Sequence, residues 1–128
     1  MRKTENILIV DDNTENLSFL STLLKEEGYD IFPADSGELA LASLEDNIPD
    51  LVLLDIRMPG INGFEVCKRI KQNQNLAEIP VIFLTVATEI NDKLEGFRLG
   101  AVDYVTKPFH KEELLARIKT HLSLYRYN

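Results

Sequence analysis

Short apolar runs alternate with longer stretches of helical period along this chain, and the alternation repeats five times. Ile7-Leu8-Ile9-Val10 is a continuous apolar run, as expected of a strand covered on both faces. Asn13 or Thr14 then caps a helix with Leu17, Leu20 and Leu24 on one side, and Gly28 stops it. Asp30 to Ala34 predicts a second strand; its Pro33 cannot donate to a ladder, which places the strand at a sheet edge. Ser36 caps a second helix carrying Ala40, Leu41 and Leu44, ending between Asp46 and Pro49. Leu51-Val52-Leu53-Leu54 is the most apolar run, predicts the central strand, and ends in Asp55.

The second half repeats the scheme. Met58-Pro59-Gly60 sets proline and glycine where a type II turn wants them, and a helix with Val66, Cys67 and Ile70 on one side follows. Val81 to Thr85 predicts the fourth strand. Ile90, Leu94 and Phe97 form the apolar stripe of a helix closed by Gly100, although Gly96 within it costs about 1 kcal/mol relative to alanine. Val102 to Thr106 predicts the fifth strand, and the final helix bears Leu114, Leu115, Ile118, Leu122 and Tyr125. Five strand-helix units joined by right-handed crossovers predict an α/β fold, a doubly wound five-stranded parallel sheet with helices on both faces. Ligands bind such sheets beyond the carboxyl ends of the strands.

Composition narrows the classes. At 128 residues, 45% hydrophobic and 27% charged, the chain reads as one globular domain. No apolar run approaches the roughly 18 residues needed to span a bilayer, and Asp11-Asp12 interrupts the first one, so no secretory segment is predicted and a cytoplasmic location is expected. The single cysteine, Cys67, excludes an internal disulfide and reads as a buried small hydrophobe. The net charge of -7 repels nucleic acid backbones and anionic membranes, so direct contact with neither is expected. Residues 1 to 55 carry net -10 and residues 56 to 128 net +3, which concentrates acid in the first half.

That acid matters at the strand ends. Asp11 and Asp12 follow the first strand, Asp55 ends the third, Thr85 ends the fourth and Lys107 follows the fifth. Asp-Asp before a helix is most often a cap, Thr85 alone is strand filler, and Lys107 alone is a solvated lysine. Capping does not explain a second acid on the central strand, nor a hydroxyl and an ammonium at the neighbouring ends. Converging carboxylates repel, so without a cation at least one pKa should rise. An oxygen-only set with no nearby His or Cys points to Mg2+.

The segments Ile7-Leu-Ile-Val-Asp-Asp-Asn13, Leu51-Val-Leu-Leu-Asp-Ile-Arg-Met-Pro-Gly60, Phe83-Leu-Thr85 and Asp103-Tyr-Val-Thr-Lys-Pro-Phe109 resemble the motifs of response regulator receiver domains, in their order and spacing. The resemblance implies one receiver domain over residues 1–128, with the flavodoxin-like strand order 2-1-3-4-5. It implies that Asp55 is the phosphoacceptor for a phosphohistidine on a sensor histidine kinase or phosphotransfer protein. Asp12 would ligate Mg2+ directly, Asp11 mainly through water, and the backbone carbonyl of Arg57 would complete the protein ligands along with Asp55. Lys107 and Thr85 would meet the phosphoryl oxygens, Thr85 acting as a switch with Tyr104, which turns inward when the threonine moves. The Lys107-Pro108 bond would be cis. Such a module is not a turnover enzyme: it assists its own phosphorylation and slow dephosphorylation. Its signal would pass through the surface of the fourth helix, fifth strand and fifth helix, to a downstream protein, a fused output domain or a second copy in a homodimer.

Rival readings are weaker. A phosphatase of the haloacid dehalogenase type needs an acid two residues after the nucleophile, where this chain has Arg57. A flavin binder must receive a phosphate in its first loop, which Asp11-Asp12-Asn13 would repel. A phosphorylation-independent interaction module of the receiver fold stands as the alternative, opposed by the intact set Asp11, Asp12, Asp55, Thr85 and Lys107. Two positions depart from the family pattern: Val86 where alanine or glycine is usual, narrowing access to the acyl phosphate, and His110 where a helix-capping residue is common. His110 reads as a solvated surface residue and His121 as a structural one on the inner side of the last helix.

Overall fold

The apolar runs become five parallel strands, β1 (Asn6–Val10), β2 (Asp30–Ala34), β3 (Leu51–Asp55), β4 (Val81–Val86) and β5 (Asp103–Lys107). Between and after them lie α1 (Thr14–Glu26), α2 (Gly37–Asp46), α3 (Gly63–Gln72), α4 (Ile90–Arg98) and α5 (Lys111–Arg126). This is a computed structural model that describes residues 4–86 and 90–126, without the side chains of Ile90 and Arg126. The sheet order is β2-β1-β3-β4-β5, every pairing parallel. β2 with Pro33 is an edge and β3 is central, as the apolar pattern predicts.

Alternate strand residues feed two cores, because successive side chains of a strand point to opposite faces. Leu8, Val10, Val52, Leu54, Val81 and Phe83 pack with Ala40 and Leu44 of α2 and with Val66, Cys67 and Ile70 of α3. Ile7, Ile9, Leu51, Leu53, Ile82 and Leu84 pack with Leu20 and Leu24 of α1 and with Leu114, Ile118 and Leu122 of α5. The caps are local. Asn13 and Ser36 accept from the amides of Asn16 and Leu39, which settles the α1 cap in favour of Asn13 over Thr14; Asn62 does the same for α3 with Glu65. Gly60 takes φ +75°, the conformation the Met58-Pro59-Gly60 turn requires of it.

The stripe expected on α4 is corrected. Leu94 is 64% and Phe97 51% exposed, while the buried positions described on this helix are Asp92 and Gly96. The side chain of Ile90, third member of that stripe, lies outside the described residues. Gly96 explains the rotation: a Cβ there would land on the Tyr104 hydroxyl and 2.8 Å from Phe83 Cδ2, so the helix meets the sheet through its glycine. The fourth strand runs one residue further than expected, to Val86, and the fifth spans Asp103–Lys107 rather than Val102 to Thr106. Among the described residues no helix is long and apolar enough to cross a membrane.

Candidate functional site

Parallel registration brings the polar strand ends to one edge. Val10 is level with Leu54, which sets Asp11 and Asp55 side by side; Asp55 is level with Leu84, so Thr85 follows next to it; Val86 is level with Lys107. Asp11, Asp12 and Asp55 each present a carboxylate oxygen within 4.8 Å of the others. Lys107 Nζ stands 3.3 Å from Asp55 Oδ1 and 3.5 Å from Asp11 Oδ2. Asp12, Asp55, Arg57, Thr85, Val86 and Lys107 line an open cleft of about 490 Å³, with Asp92 at its wall.

Asp11 is fully buried. Its Oδ1 accepts from the Asn13 amide at 2.9 Å, whereas Oδ2 finds no hydrogen-bond donor among the described residues and lies 3.5 Å from the Lys107 ammonium. Asp55 is nearly as buried, and burial together with the neighbouring Asp11 charge pushes its carboxyl up to about 6, against the opposing pull of Lys107. The rise expected of converging carboxylates therefore falls on the residue that ends the central strand. An oxygen-only trio with one orphaned buried oxygen and one carboxyl forced upward fits a hard divalent cation, which would supply the missing positive charge. Thr85 is buried, and its hydroxyl donates to the Val86 carbonyl at 3.3 Å. Val86 is 45% exposed at the cleft. The Lys107-Pro108 bond is cis.

Tyr104 sits apart from this cluster, already on the inner side. It is buried between Phe83 and Phe97, with ring centroids 5.8 Å and 4.8 Å away, and its hydroxyl donates to the carbonyls of Asp92, at 3.1 Å, and Lys93. Cys67 is fully buried, and burial pushes its thiol up to about 11, which suits packing rather than reactivity. His110 is exposed.

Two features escaped sequence reasoning. Arg57 binds both oxygens of Asp92 at 2.7 Å, tying the loop after β3 to the first turn of α4. Nothing local marks this pair, since 35 positions separate its members. The second is a cluster in which Asp103 of β5 accepts from Arg117 Nη1 at 2.6 Å and lies 3.0 Å from His121 Nε2. Burial would raise the Asp103 carboxyl, but hydrogen bonds from His121 and Arg117 outweigh it and hold it below its usual range. Arg117 and His121 at i, i+4 on the inner side of α5 were the available signal. His121 lies on the inner side of α5, as expected, within hydrogen-bond distance of Asp103.

Residues 7–119 match the family model of the response regulator receiver domain. The chain belongs to that family. Among its relatives is the DNA-binding dual master transcriptional regulator RpaA of Synechocystis sp., 42% identical over 116 residues, which are 91% of this chain and 48% of that protein. The chain thus spans about half the length of the curated relative it matches. A crystal structure ascribed to a response regulator of Chloroflexus aurantiacus superposes with a TM-score of 0.91 at 39% identity, covering 94% of this chain and 99% of that one. The receiver domain of a signal transduction histidine kinase from Syntrophus aciditrophicus gives 0.87 at 33% identity, covering 94% and 91%. Receiver domains are signalling proteins of two-component systems, generally not turnover enzymes; they work with histidine kinases and use Mg2+ at an acidic pocket, and this chain has an acidic cluster in Asp11, Asp12 and Asp55.

Proposed function

We propose that this receiver is a phosphorylation-activated switch in which Asp55 accepts a phosphoryl group from a phosphohistidine of a sensor kinase or phosphotransfer protein. The observation that carries the reading is the position of Asp55: it ends the central strand, within 4.8 Å of Asp11 and Asp12 and 3.3 Å from Lys107. In the transfer an oxygen–phosphorus bond forms at Asp55 as the phosphorus–nitrogen bond of the donor breaks. A carboxylate approaches an anionic phosphoryl group only when charge is neutralised, which Lys107 does in part. Asp12, Asp55 and the Arg57 carbonyl would hold Mg2+, with Asp11 acting mainly through water. Bound there, the ion would neutralise charge on the carboxylates and phosphoryl oxygens. Thr85, whose hydroxyl now donates to the Val86 carbonyl, would exchange that bond for one to a phosphoryl oxygen, so that its rotamer depends on phosphorylation.

The output surface on this reading is that of α4, β5 and α5, where Leu94, Phe97 and Val102 are exposed, and its occupant is a downstream protein, an output domain or a second copy. RpaA is named as DNA-binding, so an output domain that binds DNA is one route by which a receiver of this kind acts. Incubation with acetyl phosphate and Mg2+, followed by intact-mass measurement, should show one added phosphoryl group, absent after chelation and absent in Asp55→Asn. A stoichiometric adduct that forms in EDTA refutes the assignment and favours the phosphorylation-independent module.

A further inference from the structure

The residues around Asp55 form a closed ring of links that includes α4. Lys107 faces Asp55 at 3.3 Å; three residues back along β5, the Tyr104 hydroxyl donates to the Asp92 and Lys93 carbonyls; the Asp92 carboxylate holds Arg57 at 2.7 Å through both oxygens; and Arg57 is two residues from Asp55. The two ends of the Arg57–Asp92 pair are unequal. The Asp92 side chain is 10% exposed and that of Arg57 67%. A nearly buried carboxylate deprived of its counter-charge is costly, whereas a guanidinium at the surface exchanges one anion for another with water still at hand. Arg57 also lines the same cleft as Asp55 and Thr85. The buried positions described on α4 are Asp92 and Gly96, and in the first turn the buried side chain described is that of Asp92, which the ion pair engages.

Resting on the reading of Asp55 as phosphoacceptor, we propose that Arg57 and Asp92 are positioning residues forming a latch, and that a phosphoryl group on Asp55 draws the Arg57 guanidinium off Asp92, loosening the first turn of α4 and the seat of Tyr104. The physical basis is competition. A phosphoryl group carries about two negative charges where the Asp92 carboxylate carries one, and it offers three acceptor oxygens to a planar fork of donors. The latch supplies a path from the phosphoacceptor loop to α4 and β5 that does not pass through the Thr85 hydroxyl. It also assigns Arg57 a side-chain role, distinct from that of its backbone carbonyl.

The test uses beryllofluoride with Mg2+ as the phosphoryl mimic, its binding read by fluorine NMR and amide hydrogen exchange read separately over residues 90–104. In the unmodified chain, saturation with the mimic should speed exchange in the first turn of α4 by about tenfold, the size expected for one charge-assisted hydrogen bond. Asp92→Asn should exchange at that fast rate already without the mimic and respond no further at saturation. Should Asp92→Asn fail to fold, Arg57→Gln decides, because an exposed side chain leaves no buried gap; it should show the same fast, unresponsive α4. If the unmodified chain gives no bound fluorine signal, the phosphoacceptor reading fails and the latch with it. If it binds the mimic but α4 exchange slows or does not change, or if both variants respond as the unmodified chain does, the latch is wrong while the phosphoacceptor reading stands.

Discussion

α3 and α4 cover the same face of the sheet on either side of β4, yet they are held by different forces. α3 presents Val66, Cys67 and Ile70, all fully buried, to the core. α4 turns Leu94 to solvent, leaves Phe97 half exposed with its ring against Tyr104, and buries Asp92 and Gly96 among its described positions, tied by the Arg57 ion pair and the Tyr104 hydroxyl. Apolar burial is non-directional and is lost only by moving the helix bodily, whereas a few polar links can be exchanged one at a time. The α3 side is therefore a fixed wall for the pocket and the α4 side its movable one.

The strongest way to break this contrast is to attack the fixed wall. Ile70→Ala should destabilise the chain by about 2–5 kcal/mol, the usual cost of an emptied core site, read from urea denaturation. A loss under about 1 kcal/mol would mean that α3 is not held by its apolar stripe.

The contrast sharpens at Asp55, which ends the central strand. Its carboxyl, raised from 3.8 to about 6, binds a proton more tightly in the folded than in the unfolded chain. The stability this contributes is fully present below about pH 4 and is lost as pH rises through about 6. In chelator at pH 7, Asp55→Asn should accordingly be more stable than the unmodified chain by up to about 3 kcal/mol, and the gap should close near pH 4. Thermal melts across that range check it; a gap independent of pH would remove burial and the Asp11 charge as its cause.

How far these differences were legible in the sequence follows from the same physics. Strand runs, caps and the order of polar strand ends are local or periodic signals, so the architecture and the members of the Asp55 cluster could be read directly from Ile7 to Lys107. The orientation of α4 could not. Its apolar period points Leu94 and Phe97 inward, and only the packing of Tyr104 against Gly96 shows why the helix is turned the other way. A glycine inside a helical stripe was the one visible warning. Likewise Arg57 could be read as the absence of an acid, but not as the partner of Asp92, because that pairing exists only after β3 and α4 have been brought together.

Gly96→Ala tests that packing at intermediate size. Alanine is favoured over glycine in a helix by about 1 kcal/mol, whereas inserting a methyl group into a filled space costs typically about 1–3 kcal/mol. The added Cβ would strike the Tyr104 hydroxyl and crowd Phe83, so net destabilisation of about 1 kcal/mol is expected. Adding Tyr104→Phe removes the struck hydroxyl and should recover part of the loss. A Gly96→Ala chain more stable than its parent would place α4 further from the sheet than it stands here.

The smallest expected effect on stability falls on the movable wall itself. Leu94 is 64% exposed, so Leu94→Lys removes little burial, and lysine is nearly as good a helix former as leucine. Urea midpoints should move by no more than about 0.5 kcal/mol, and Asp55 should still take one phosphoryl group, because no residue of the cleft is touched. Any partner or second copy that docks on α4 must however bury a leucine at this position, and a lysine there adds both a desolvation cost and a charge. Pull-down or sedimentation of the phosphorylated chain with its occupant should weaken by tenfold or more while the melt stays put. If association is untouched, the exposed face of α4 is not the output surface, and the exposure of Leu94 is no more than the consequence of seating Gly96 against Tyr104.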